Sequence, residues 1–110
     1  MSLTTKFTYL DGSNFDLKIL SEEKLILIIF VKNNNSICHL FDIIFQKFHS
    51  DIMNQIFVYK VDCERSKNIA RTYRIHETPS ILFFQKKELI DRVSGVISKN
   101  ELLSRIQIHI

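Results

Sequence analysis

Apolar residues are arranged along this chain in short runs and periodic stripes that predict alternating strands and helices. Residues 25–31, LILIIFV, are continuously apolar and rich in β-branched side chains, which is typical of a central strand covered on both faces. Residues 6–10, KFTYL, alternate between apolar and polar positions and predict a short strand. Residues 56–62, IFVYKVD, predict a further strand.

Helices are predicted between these strands and at the end of the chain. After the central strand, apolar side chains recur at steps of three and four residues: Ile37, Leu40, Phe41, Ile44, Phe45 and Phe48. Ser13 and Asp16 have the spacing of a capping box before a short helix, and Ser98 and Glu101 have the same spacing before the last helix. Ser66 is the candidate N-cap of a helix that follows the strand at 56–62.

The second half of the chain predicts a hairpin. Pro79 stands just before the apolar run in residues 77–85, and proline is tolerated at the first residue of a strand. A turn at 86–88 and a returning strand at 89–94 complete the pair. The order β-α-β-α-β-α-β-β-α predicts an α/β fold over residues 1–110 as a single domain. We expect a central mixed sheet of about five strands with helices on both faces.

Composition and charge indicate a globular protein that does not bind nucleic acid. The chain has 110 residues, 45% of them hydrophobic, which is enough for a core without disulfides or metals. Fifteen Lys and Arg against twelve Asp and Glu give a net charge of +3, but the lysines are scattered and form no stripe. We therefore expect no nucleic-acid partner, and we also expect a monomer.

The apolar runs and the cysteine spacing indicate where the protein is located and whether it holds a metal. The longest apolar run, residues 25–31, is too short to span a membrane, and the first residues do not have the pattern of a signal peptide. Two cysteines 25 positions apart form neither a disulfide framework nor a zinc motif. The expectations are therefore a cytoplasmic protein in a reducing compartment, no membrane association, no metal and no cofactor.

The turn NNNSICHL, residues 33–40, carries the candidate chemistry. It joins the central strand to the predicted helix and contains one cysteine, Cys38. A thiol at the first turn of a helix can be a nucleophile, because the helix dipole favours the thiolate. Asn35 or Ser36 can alternatively serve as the N-cap of that helix.

Four features in this order resemble the thioredoxin family over nearly the whole chain. They are the central strand leading to a cysteine at the head of a helix, the segment VDCERSKNIARTYRI, the TPS at 78–80, and the hairpin that closes on Gly95 before a last helix. The resemblance implies a thioredoxin fold, a cis peptide bond before Pro79, and a position for Pro79 beside Cys38.

The resemblance also shows where this chain departs from the family pattern. The family's redox site is Cys-x-x-Cys, and residues 35–38 read Asn-Ser-Ile-Cys, so Asn35 stands at the first cysteine and only the second, Cys38, remains. Asn34 replaces the usual aromatic residue. Ile29 aligns with the buried aspartate that some members use as a proton acceptor. The resemblance therefore implies impaired dithiol–disulfide exchange.

The cysteines and the histidines allow more than one interpretation. Cys38 is either a small packing residue, a monothiol that accepts glutathione or senses oxidant, or part of a site completed by another protein's thiol. Cys63 is interpreted as packing, since the family layout does not favour a disulfide with Cys38. His39 either lowers the pKa of the Cys38 thiol or faces solvent. The remaining histidines show no metal-ligand spacing and are expected at the surface: His49, His76 and His109.

A peptide-binding groove can persist without the first thiol. In the family, the residue before the proline offers backbone groups to an extended peptide. The resemblance implies that a protein or peptide partner binds at a groove formed by these residues: Asn34, Asn35, Ser36, Ile37, Thr78 and Pro79. The leading hypothesis is a non-enzymatic binding or adaptor protein in thiol-redox homeostasis. The alternative is a monothiol oxidoreductase or thiol sensor that uses Cys38, while an ordinary dithiol oxidoreductase is disfavoured by Asn35.

Overall fold

The structure is a computed structural model that describes residues 7–32 and 36–110, without the side chains of residues 36–38. Its elements follow the predicted alternation, with one short helix added. Their bounds are β1 Thr8–Tyr9, α1 Phe15–Ser21, β2 Leu25–Val31, α2 Ser36–Gln46, α3 Ser50–Met53, β3 Ile56–Asp62, α4 Lys67–Thr72, β4 Ser80–Gln85, β5 Glu88–Ser94 and α5 Lys99–Ile108. No helix in the described part of the chain is long and apolar enough to cross a membrane.

The strands form one mixed sheet in the order β1-β3-β2-β4-β5. β1, β3 and β2 are parallel, β4 is antiparallel to β2, and β5 is antiparallel to β4. Every residue of β2 is buried, as its unbroken apolar sequence predicts for a strand in the middle of a covered sheet. The predicted α/β fold with a mixed five-stranded sheet is confirmed.

Helices cover both faces of the sheet, as predicted. On one face, α2 and α5 pack against alternate residues of the strands through Phe41, Phe45, Leu102 and Ile106. On the other face, α1 and α4 contribute a second cluster through Phe15, Ile19, Ile69 and Tyr73. The alternation of side chains along each strand produces these two separate clusters.

The helix starts show where local patterns hold and where they do not. The Ser98 hydroxyl accepts a hydrogen bond from the Glu101 amide at 3.2 Å, so the predicted N-cap of α5 is confirmed. The capping box at Ser13 and Asp16 is wrong. α1 begins at Phe15, and the Ser13 hydroxyl donates instead to Asp11 Oδ1 at 2.6 Å. Hydrogen bonds from Ser13 hold the pKa of the Asp11 carboxyl below its usual value.

The end of α2 and the turn between β4 and β5 also differ from the expectation. The predicted long helix ends at Gln46, and the separate helix α3 follows, capped by the His49 ring, which accepts a hydrogen bond from the Asp51 amide at 3.1 Å. The hairpin between β4 and β5 turns at Lys86 and Lys87, with φ values of 50° and 73°. Both residues are therefore in the left-handed region that two-residue hairpin turns require.

Candidate functional site

Three chain segments meet at one edge of the sheet. The parallel strands β2 and β3 end there at Val31 and Asp62, which are paired in register, and the antiparallel strand β4 begins there. The Cys63 amide donates a hydrogen bond to the Val31 carbonyl at 2.9 Å, which ties the segment after β3 to the end of β2. Ser80 pairs with Phe30, so Pro79 lies beside the point where the chain leaves β2 for α2.

Thr78 and Pro79 are held at this edge by surrounding backbone. Pro79 is buried, and its peptide bond with Thr78 is cis, the conformation that the resemblance implies. The Pro79 carbonyl accepts a hydrogen bond from the Gly95 amide at 2.8 Å, and the Ser80 hydroxyl donates to the Glu77 carbonyl at 2.6 Å. Gly95 has φ +85°, a backbone conformation that favours glycine.

The backbone of Thr78 has no partner within the described ranges 7–32 and 36–110. Neither its amide nor its carbonyl forms a hydrogen bond with another described residue, and the residue is only half-buried. The backbone N–H is a strong donor and the C=O a strong acceptor, so Thr78 can donate one hydrogen bond to an incoming partner and accept another from it. The arrangement is chemically suited to adding one extended peptide segment at this position.

The other predicted site residues lie at the start of α2 or just before it. Asn34 and Asn35 fall outside the described residues. Ser36, Ile37 and Cys38 form the first turn of α2, and their side chains are also outside the description. The backbone therefore places the position of Cys38 within the first turn of an eleven-residue helix, at the same edge as Thr78 and Pro79.

Cys63 has the properties of a packing residue. Its thiol is free and half-buried, and it packs against the cluster beneath α1 and α4. Burial raises the pKa of the Cys63 thiol, Asp62 and Glu64 raise it further, and Lys32 opposes them. A thiol that stays protonated at neutral pH is a poor nucleophile.

A buried ion pair lies behind this edge and was not predicted. Lys60 Nζ on β3 is 2.7 Å from Asp42 Oδ1 on α2, and the two side chains are 6% and 16% exposed. Lys60 is the register partner of Ile29, the residue at which the resemblance implies a buried aspartate. The Asp42 carboxylate of α2 therefore contacts the residue that pairs with Ile29 in the sheet.

The sequence contains a signal for this pair. Lys60 alternates with Ile56 and Val58, which places a lysine on the buried face of β3. Asp42 follows Cys38 by four residues, a spacing that puts two positions on the same helix face. His39 Nδ1 is 3.9 Å from Asp42 Oδ2, but the His39 side chain is 80% exposed, which agrees with the solvent-facing interpretation.

One of the remaining histidines departs from the surface expectation. His109 is mostly buried at the end of α5, where its Nε2 lies 3.2 Å from Asp91 Oδ2 and its ring contacts Phe83. The surface interpretation is wrong for this residue, because the end of α5 packs across β4 and β5. In the part of the chain that the structure describes, no group of three His, Cys, Asp or Glu side chains is placed to hold a metal ion.

Comparison with known proteins identifies relatives of this chain by sequence similarity. Residues 6–108 match the sequence profile of the family described as Thioredoxin. A thioredoxin from Mycoplasmoides gallisepticum is 33% identical over 85 residues, covering 77% of this chain and 84% of the relative. A thioredoxin from Chlorobaculum thiosulfatiphilum is 24% identical over 96% of this chain and 97% of its own. A thioredoxin-like protein from Synechocystis is 24% identical over 89% of this chain and 93% of its own.

Proposed function

The chain belongs to the thioredoxin family, and from that premise we propose that it is a peptide- or protein-binding member with impaired dithiol–disulfide exchange. Its role on this proposal is that of an adaptor or substrate-holding protein in thiol-redox homeostasis. The observation that carries the proposal is the half-buried Thr78 backbone, which has no hydrogen-bond partner within the described residues and is fixed by buried Pro79.

The loss of exchange follows from the composition of the turn. Dithiol exchange requires one thiolate to attack and a second thiol to resolve the mixed disulfide. On the proposed alignment, Asn35 occupies the position of the attacking thiol, and an amide cannot form that covalent intermediate. The thiol at Cys38 then lacks the intramolecular partner that gives resolution its high effective concentration.

A second candidate is a monothiol oxidoreductase or thiol sensor that uses Cys38. The position of Cys38 in the first turn of α2 favours it, since the positive end of a helix dipole lowers a thiol pKa. In this case the Cys38 thiolate attacks a substrate disulfide, and one substrate sulfur leaves as a thiolate. Glutathione then attacks the substrate sulfur of the mixed disulfide and releases the Cys38 thiolate.

Insulin reduction coupled to thioredoxin reductase separates the two candidates from a dithiol enzyme. We expect the wild type to show no turnover above that of Cys38→Ser. Asn35→Cys restores the Cys-x-x-Cys spacing and is expected to restore measurable reduction, which would show that the rest of the scaffold supports exchange. Wild-type turnover comparable with that of a dithiol thioredoxin would refute the proposed function.

The pH dependence of alkylation separates binding from monothiol chemistry. Cys63→Ser leaves Cys38 as the single thiol, so the rate of its reaction with iodoacetamide reports the pKa of Cys38 alone. A midpoint at or above the free-thiol value of about 8.5 supports the binding protein, and a midpoint below about 7 supports the monothiol candidate.

A further inference from the structure

A basic pocket lies beside the Cys63 thiol, between α4 and the loop that leads to Pro79. We call it the Cys63 pocket, and its volume is about 320 Å³. Its lining includes Cys63, Lys67, Arg71, Arg74, Ile75 and His76. Among the described residues, no acidic side chain lines it. Three permanent positive charges therefore surround one small concave surface.

The Asp62 and Glu64 carboxylates flank Cys63 in the chain and act on its thiol, but neither of them lines the pocket. No described acidic side chain forms an ion pair with Lys67, Arg71 or Arg74. The Glu77 carboxylate lies beside Gly95, where its Oε2 would be 3.4 Å from an added Cβ, and Glu77 does not line the pocket. Clefts lined by a single sign of charge concentrate ligands of the opposite sign, so this pocket favours an anion.

Arg74 occupies its place at a conformational cost. α4 ends in a Schellman motif, in which the Arg74 amide donates to the Arg71 carbonyl at 3.0 Å and the Ile75 amide donates to the Ala70 carbonyl at 2.9 Å. Arg74 is the left-handed residue of that motif, with φ 54°, where glycine is the usual and unstrained choice. The arginine is therefore not explained by the stability of the helix end.

The pocket adjoins the Thr78 backbone. Ile75 and His76 line the pocket, and Thr78 follows His76 by two residues, a span of at most roughly 7 Å. Side chains on one face of an extended peptide repeat at about the same distance. A peptide paired with Thr78 can therefore place a neighbouring side chain at the pocket.

We propose that the Cys63 pocket binds an Asp or Glu side chain of the peptide that pairs with the Thr78 backbone, so that the partners of this protein carry an acidic residue beside the bound segment. This inference rests on the peptide-binding function proposed above. The pocket volume suits one side chain, and the scattered surface lysines provide no track for an extended polyanion. The raised pKa of Cys63 keeps its thiol neutral, so the thiol does not repel a carboxylate.

The test starts with a random seven-residue peptide library displayed on phage and selected on the wild-type protein. We expect selected peptides to contain Asp or Glu at one recurrent position. Binding of a synthetic peptide and of its Glu→Gln or Asp→Asn counterpart is then measured by fluorescence anisotropy. The acidic peptide is expected to bind roughly tenfold more tightly at low salt, with the difference shrinking as salt screens the charges.

Three variants locate that preference. Arg71→Gln/Arg74→Gly removes two charges of the pocket, and glycine suits the left-handed position, so this variant is expected to fold at least as stably as the wild type. It should bind the acidic peptide roughly tenfold more weakly and leave the amide peptide within about twofold. Lys18→Gln/Lys47→Gln removes the same charge from α1 and from the segment after α2, and should leave both affinities unchanged. Pro79→Ala, with its fold checked by circular dichroism, should weaken both peptides.

The outcomes distinguish the inference from the function on which it rests. Selected peptides without an acidic preference, or an equal loss in the Lys18→Gln/Lys47→Gln control, would overturn the pocket assignment and leave the peptide-binding function standing. Selection of no peptide would overturn the function and the inference together. Affinities for both peptides that stay unchanged in Pro79→Ala would also overturn the inference, because the peptide would not be paired at Thr78.

Discussion

Asp42 and Asp91 each contact a basic side chain from another element, but their surroundings differ. Asp42 on α2 meets Lys60 beneath the helix, where the lysine side chain is 6% exposed. Asp91 on β5 meets Arg105 of α5 at 2.8 Å and His109 at 3.2 Å, and the Arg105 side chain is 42% exposed. The same chemistry is therefore present once in the core and once near the surface.

The difference decides how much each contact contributes to stability. A buried charge has lost its hydration, so removing its partner leaves a large uncompensated cost. A charge near the surface is rehydrated when its partner is removed, and salt screens the interaction while it exists. The Lys60–Asp42 pair is also next to the candidate site, since Asp42 follows Cys38 by four residues on α2.

The largest effect is expected for Asp42→Ala. It leaves the buried Lys60 ammonium without this carboxylate, and the free energy of unfolding should fall by about 3 kcal/mol. Urea denaturation followed by circular dichroism measures the change. Glu23→Ala, which removes an exposed acid from a loop, is the matched control and should change stability by less than about 0.5 kcal/mol.

Replacing both members of the buried pair tests the explanation. Asp42→Leu/Lys60→Met removes both charges and keeps similar volumes, so its stability should lie within about 1 kcal/mol of the wild type. A double variant as unstable as Asp42→Ala would show that helix packing, and not the loss of the charge pair between Lys60 and Asp42, determines the cost.

A smaller effect is expected for Asp91→Ala, which removes the contacts with Arg105 and His109. Because this cluster is partly exposed, the loss should be about 1 kcal/mol in the same urea measurement. Raising the salt concentration should reduce the difference between Asp91→Ala and the wild type. A loss equal to that of Asp42→Ala would contradict the distinction between the two clusters.

The smallest effect is a pH dependence of the Asp91 cluster. Burial alone would raise the pKa of Asp91, but hydrogen bonds from His109, the Arg92 amide and Arg105 outweigh it and lower that pKa in the folded protein. As the pH falls, the unfolded chain therefore takes up its proton first. The stability that ionised Asp91 contributes is complete above the unfolded pKa of about 3.9 and is lost as the pH falls through the folded pKa.

Comparison of the wild type with Asp91→Asn at several pH values measures this dependence. The difference in their free energies of unfolding should be constant above about pH 5 and shrink below about pH 4. A difference that is unchanged at pH 2, or that grows on acidification, would show that another group governs the acid response.

Element types were predictable wherever the local pattern had one interpretation. β2 and β3 have the predicted bounds, because an unbroken or alternating apolar run is compatible with a strand in a covered sheet. The start of α1 was mispredicted because Asp11, Ser13 and Asn14 can all form competing turns, and here Asp11 binds Ser13. The short helix α3 was missed because four residues carry too little periodicity to recognise.

The candidate site, like the fold, was predictable only in part. The order of the motifs was enough to identify the segments of the site, and the sheet register then placed Thr78 and Pro79 at the end of β2. The sequence places Lys60 on the buried face of β3 and Asp42 on the helix face of Cys38, but the contact between them forms only when α2 packs on β3.

By itself, the sequence determined the order of strands and helices, the family and the presence of Asn-Ser-Ile-Cys at residues 35–38, since periodicity and motif order are local properties of the chain. Only the tertiary structure decided that Arg71, Arg74 and His76 line one pocket with Cys63 and that the Asp42 carboxylate of α2 contacts Lys60. Those contacts depend on strand register and on how each helix packs, and both are set by the whole core rather than by any one segment.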